Sequence, residues 1–159
     1  MTYTALATLL ILGDDLSRIN RQALLTGVKA LQLSNGSFKA ALEGNEDDMR
    51  FLYCAACICY ILDDWSGMDV DLTVQYIQDS VSYEGGVGQG PGLEAHGGST
   101  YCAVAALSLM GRLQAHKRCI LSSTFIVNLK NYNKKNCDKI IPNLRNNSNH
   151  NYADNRGNC

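Results

Sequence analysis

No apolar run in this 159-residue chain reaches the length of about 18 residues that a membrane-spanning helix needs. Residues 1–13 are apolar, and Ala5-Leu-Ala7 imitates a signal cleavage site. They lack the basic leader of a secretory signal, however, and the same pattern recurs at 100–111, where no signal could stand. A second Cys/His pair at metal spacing is also missing. The run Cys54-Ala-Ala-Cys57-Ile-Cys59 therefore reads as part of an apolar helix rather than a zinc cluster. The acidic pairs Asp14-Asp15, Asp47-Asp48 and Asp63-Asp64 each fall at a helix end, where carboxylates serve as caps, and they do not form a magnesium-diphosphate motif. Seven cysteines is an odd count, and five of them (Cys54, Cys57, Cys59, Cys102, Cys119) lie in or beside apolar helical patterns. That usage predicts free thiols and a reducing, cytoplasmic setting, which makes the sequons at 35–37 and 146–148 chance matches.

The charge is unevenly distributed. Residues 1–116 carry 13 Asp/Glu against 6 Lys/Arg, whereas residues 117–159 carry 2 against 8, together with 11 asparagines. The segment 116–159 has no sustained apolar period after Leu129, and this composition predicts a disordered tail. Its basic residues are scattered among asparagines with no aromatic interleaving beyond Tyr132 and Tyr152, so no nucleic-acid partner is expected.

What is present is a repeat. Glu94-Ala-His-Gly-Gly-Ser-Thr-Tyr-Cys-Ala103 shares its frame with Glu46-Asp-Asp-Met-Arg-Phe-Leu-Tyr-Cys-Ala55, and Thr2–Gly13 matches Thr100–Gly111. Tyr3, Tyr53 and Tyr101 thus recur at spacings of 50 and 48 residues. A period of this size belongs to stacked helical units, none of which can bury its apolar face alone. The pattern predicts helices over 2–12 (buried), 21–32 with Asn20 as cap, 48–62, 70–80 capped by Asp69 or Asp71, and 99–113. Amphipathic helices alternate with thoroughly apolar ones, as two concentric layers require. The expected fold is all-α, a partial α/α toroid of helical hairpins over 1–115. Its units span about 21–63 and 70–111 after a half repeat at 2–13, and a linear solenoid is the alternative. Because the chain opens inside a repeat, it reads as a piece of something larger.

Three groups of residues could carry chemistry. His96-Gly97-Gly98 precedes an apolar helix, and free N–H groups at a helix start attract anions such as phosphate; the plainer reading is a tight lead-in turn with a solvated histidine. Arg50 occupies the frame position of Gly98. It could face a ligand, or it could pair internally with Asp47, Asp48 or Glu94. Tyr53, Tyr101, Cys54 and Cys102 could line a pocket or simply pack between repeats.

Several segments together resemble the β subunits of protein prenyltransferases, nearest the geranylgeranyltransferase type I branch. They are Met1-Thr-Tyr-Thr4, Leu10–Arg18, Ala30-Leu-Gln32 with Gly36-Ser-Phe38, Asp48-Met-Arg-Phe51, Tyr53-Cys54, Trp65-Ser-Gly-Met-Asp69, and Gly92-Leu-Glu94 with His96–Thr100. The resemblance covers residues 1 to about 115 and ends before 117. It implies a heterodimer with an α subunit that transfers a geranylgeranyl group from geranylgeranyl diphosphate to a C-terminal CaaX cysteine of target proteins. It further implies that His96, Gly97 and Gly98 bind the diphosphate, and that Arg50, Tyr53 and Cys102 line the isoprenoid and peptide cavity. The family uses zinc, but its Asp-x-Cys and later His ligands have no counterpart here, so no catalytic or metal residue is assigned. The chain is then truncated at both ends, carries an unrelated tail, and is inactive alone. The alternative is a non-catalytic helical scaffold that only contacts the α subunit. A terpene cyclase is disfavoured because no Asp-x-Asp-Asp motif is present.

Overall fold

The structure is a computed structural model, and it describes residues 1–113. The tail predicted for 116–159 lies outside the described residues. Five helices follow one another: α1 (Thr2–Ile11), α2 (Arg21–Leu31), α3 (Met49–Leu62), α4 (Val70–Asp79) and α5 (Gly97–Leu109). Among the described residues the extended contacts are three isolated bridges in loops.

Local chemistry explains the helix starts. Asn20 caps α2 by accepting from Ala23 N at 3.0 Å, and Asp69 caps α4 by accepting from Leu72 N at 3.0 Å. α2 turns Leu25 and Val28 inward, and α4 turns Thr73, Tyr76 and Ile77 inward, so both leave a polar face outside. α3 is buried along most of its length, from Met49 through Leu52, Ala56 and Cys59 to Leu62, with Arg50 and Tyr60 exposed. It packs on α1, α2 and α5. α5 packs against α3 and buries Ala103 and Ala106 in the same core.

α1 departs from its expected burial. Leu6 is its buried residue, while Ile11 is 69% exposed and the following Leu12 77%. The main packing partner of α1 is α3, and one neighbour covers one face of a helix, however apolar the others are.

The loops after the two amphipathic helices fold alike. Leu33 N donates to Ser37 O at 2.9 Å and Gly36 N to Leu33 O at 3.0 Å; Ser82 N donates to Gly86 O at 2.9 Å and Gly85 N to Ser82 O at 3.0 Å. Each turn needs a left-handed residue, Gly36 at φ 91° and Gly85 at φ 80°. Each also drives an apolar residue, Phe38 or Val87, into the core. One inter-element link has no sequence signal. Gln32, at the end of α2, donates through Nε2 to Asp69 O (3.1 Å) and Thr73 Oγ1 (3.0 Å), and its Oε1 accepts from Asp69 N (2.7 Å). This clamp ties the end of α2 to the start of α4.

Candidate functional site

A ladder of tyrosines joins the N-terminal halves of α1, α3 and α5. The rings of Tyr3 and Tyr53 are 6.0 Å apart at 63°, and those of Tyr53 and Tyr101 are 6.0 Å apart at 68°. Both pairs have the edge-to-face geometry that aromatic quadrupoles favour. All three rings are half-buried. Burial, then the nearby Cys57, pushes the Tyr53 phenol far above its ordinary value, and burial pushes Tyr3 up as well. Cys54 and Cys102 follow Tyr53 and Tyr101 in sequence. Both are free, half-buried thiols whose pKa is raised, chiefly by burial. Thiols raised by burial react slowly, so this wall is predominantly apolar.

The two sides of the wall are capped by different residues at matching positions. At α3 the carboxylate of Asp48 accepts from Arg50 N at 2.7 Å; at α5 the Nδ1 of His96 accepts from Gly98 N at 3.1 Å. Gly97 and Gly98 are therefore the first helical residues of α5 and not a lead-in turn before it. His96, Gly97 and Gly98 are all exposed.

Arg50 is exposed as well. Position in the first turn explains this, since its side chain leaves the helix beside the cap. Arg50 Nε donates to Asp48 Oδ2 at 2.8 Å, Nη2 donates to the same oxygen, and Nη2 reaches Glu46 Oε1 at 3.3 Å. The guanidinium also lies over the Phe51 ring at 5.5 Å. The Asp48 charge raises the Cys54 and Cys102 thiols and the Arg50 charge lowers them, each by less than burial does. Of the three acids weighed from sequence, Asp48 is the partner. Asp47 instead accepts from Ser37 Oγ at 2.7 Å, and Glu46 is the acid that sequence reading missed. Its i,i+4 spacing to Arg50 was the available signal.

A cavity of about 210 Å³ opens beside this wall, between the start of α1, the end of α2 and α3 as far as Ile58. Tyr3, Leu31, Phe38, Lys39, Phe51 and Cys54 are among its lining residues. His96, Gly97, Gly98, Arg50, Tyr53 and Cys102 do not line it. The sequence-nominated residues therefore share a wall and a set of helix starts without sharing one enclosed pocket. Phe51 and Lys39 were not foreseen, because nothing local marks a side chain as lining a space between three helices.

Among the described residues no group of three or more His, Cys, Asp or Glu side chains is placed to hold a metal ion. Cys57 and Cys59 point into the core, so these residues do not fit a zinc site. No helix among the described residues is long and apolar enough to cross a membrane.

Burial also sets an alkaline limit on the fold. It pushes the Cys59 thiol up from 9.0 to about 11, with Asp64 adding to the effect, and the Tyr76 phenol up from 10.0 to about 12. The folded protein keeps these protons where the unfolded chain has lost them. Their stabilising contribution is therefore complete below pH 9 and is lost as pH rises through the windows 9–11 and 10–12. Urea unfolding midpoints are expected to fall steadily above pH 9, and a midpoint that stays level to pH 11 would contradict these shifts.

Alternating amphipathic and apolar helices, paired as hairpins with the apolar members side by side, define an α/α repeat protein. The chain belongs to the prenyltransferase alpha-alpha toroid domain family, whose sequence model matches residues 1–143. It is 54% identical over 110 residues to the geranylgeranyl transferase type-1 subunit beta of Arabidopsis thaliana, covering 69% of this chain and 29% of that relative. To the subunit of the same description from Dictyostelium discoideum it is 45% identical over 113 residues, covering 70% of this chain and 32% of the relative. The protein farnesyltransferase subunit beta of Arabidopsis thaliana is 39% identical over 117 residues, covering 70% of this chain and 23% of the relative. The chain thus spans about a third or less of the length of these relatives.

Proposed function

We propose that this chain is part of a protein geranylgeranyltransferase type I β subunit, contributing one wall of the cavity that receives geranylgeranyl diphosphate. The observation that carries the reading is the juxtaposition of the α3 and α5 starts, with the tyrosine ladder between them and polar caps at their ends. An isoprenoid diphosphate has this same division, a long apolar tail and a compact anion. Tyr53 and Cys102 offer the tail an apolar, uncharged surface. The α5 start offers the diphosphate the backbone N–H of Gly97 and His96 Nε2–H, while Gly98, whose N–H is held by His96 Nδ1, lets the anion approach closely. Arg50, already engaged by Asp48 and Glu46, shapes the wall and the peptide side of the cavity. The higher identity to the type-1 subunits than to the farnesyltransferase subunit supports the C20 isoprenoid over the shorter one. In this reading the whole protein pairs with a prenyltransferase α subunit in the cytoplasm and modifies CaaX proteins. The zinc of the family would be held by residues outside those described here, and this chain alone does not turn over substrate.

The two wall thiols provide the test. In a complete β subunit paired with its α subunit, geranylgeranyl diphosphate should slow alkylation of Cys54 and Cys102, while inorganic pyrophosphate, which has no tail, should not. Equal alkylation with and without geranylgeranyl diphosphate would remove these residues from the isoprenoid cavity.

A further inference from the structure

We propose that Asn35 is a site of spontaneous deamidation, which the folded turn after α2 holds off and which proceeds when that turn opens. The inference stands independently of the isoprenoid reading. Asn35-Gly36 is the one Asn-Gly pair in the chain. Glycine has no Cβ to shield its amide nitrogen, so the side-chain amide before it is open to attack. In the reaction the Gly36 nitrogen gives up its proton to hydroxide and bonds to Asn35 Cγ. The Cγ–Nδ2 bond then breaks and releases ammonia, which takes its third proton from water. Water opens the cyclic imide at either carbonyl, giving aspartate or isoaspartate. Asn35 is exposed, so water reaches it.

The folded turn restrains the atoms that must meet. Gly36 N–H donates to Leu33 O at 3.0 Å, and Leu33 N closes the turn on Ser37 O at 2.9 Å. Asn35 Oδ1 accepts from Ser37 N at 3.0 Å and lies 2.8 Å from Ser37 Oγ, which also reaches Asp47 Oδ2 at 2.7 Å. Turning the Gly36 nitrogen onto Cγ gives up these bonds together. Nor is there room for Gly36 to move toward α4. It is buried, and a Cβ on it would stand 2.3 Å from Leu72 O. The Gln32 clamp on Asp69 and Thr73 holds that stretch of α4 against the turn. The matching turn after α4 lacks the reacting pair, because Glu84 stands before Gly85. The change at Asn35 is one-way. Isoaspartate routes the main chain through the former side chain and adds a methylene, so the bond from Leu33 N to Ser37 O falls out of register.

The test is mass spectrometry of the full chain kept in mildly alkaline buffer, with and without guanidinium chloride, reading the conversion of residue 35 in its proteolytic peptide. In denaturant Asn35 should convert faster than Asn45, whose neighbour Glu46 carries a Cβ. In the folded chain Asn35 should convert at least roughly tenfold more slowly, because opening costs several hydrogen bonds at once. Gln32→Ala leaves the turn's own sequence intact and removes its clamp. It should raise the rate without denaturant several-fold and leave the denatured rate unchanged. Circular dichroism shows whether this variant keeps its helices; if it loses them, its rate should equal the denatured one. An Asn35 that converts equally fast with and without denaturant, or that outlasts Asn45 in denaturant, would overturn the proposal. So would a Gln32→Ala chain that converts no faster than the natural one.

Discussion

Gly36→Ala is expected to destabilise the full chain by about 2–5 kcal/mol, by adding a left-handed penalty of about 1–2 kcal/mol to a steric one of about 1–3 kcal/mol. Gly36 has φ 91°, and a Cβ there would stand 2.3 Å from Leu72 O and 2.8 Å from Leu72 C. Both are backbone atoms in the first turn of α4, so no flexible side chain can move aside. Relief requires α4 to shift away from the turn, which also loosens the Gln32 clamp on Asp69 and Thr73. Gly92→Ala isolates the conformational part, since Gly92 has φ 76° and open space where its Cβ would stand. Urea unfolding of the two variants separates the terms. If Gly36→Ala costs no more than Gly92→Ala, the close approach of turn and helix is wrong.

The second large effect is on ligand binding and depends on the isoprenoid reading. In a complete β subunit with its α partner, His96→Ala should weaken geranylgeranyl diphosphate binding roughly ten- to a hundredfold, the worth of one hydrogen bond to a charged group. That substitution removes both a donor and the cap of α5. His96→Asn keeps the cap and removes the imidazole, so it should restore the stability lost in His96→Ala without restoring affinity. Arg50→Ala should alter peptide positioning more than diphosphate affinity, because the guanidinium is already committed to Asp48 and Glu46. Binding isotherms for the three variants decide the matter. If Arg50→Ala abolishes binding while His96→Ala leaves it unchanged, the two roles are reversed.

The sequence by itself determined the all-α class, the starts of α2 and α4 and the correspondence of Tyr3, Tyr53 and Tyr101. Each of these is written within a few residues or in a periodic pattern. An N-cap acts on an amide three positions on, and amphipathic spacing repeats every turn. The same local grammar located His96 and Arg50 at helix starts. It could not say that the His96 ring turns back onto Gly98, or that Arg50 lies outside with Glu46 and Asp48, because either side chain could equally have reached across to another element. Only the tertiary structure decided those orientations. It likewise decided that apolar α1 is covered on one face and that Gln32 clamps a helix whose cap lies 37 residues further along the chain. Burial and long-range pairing depend on which surfaces meet. That is a property of the packed helices, and no window of sequence contains it.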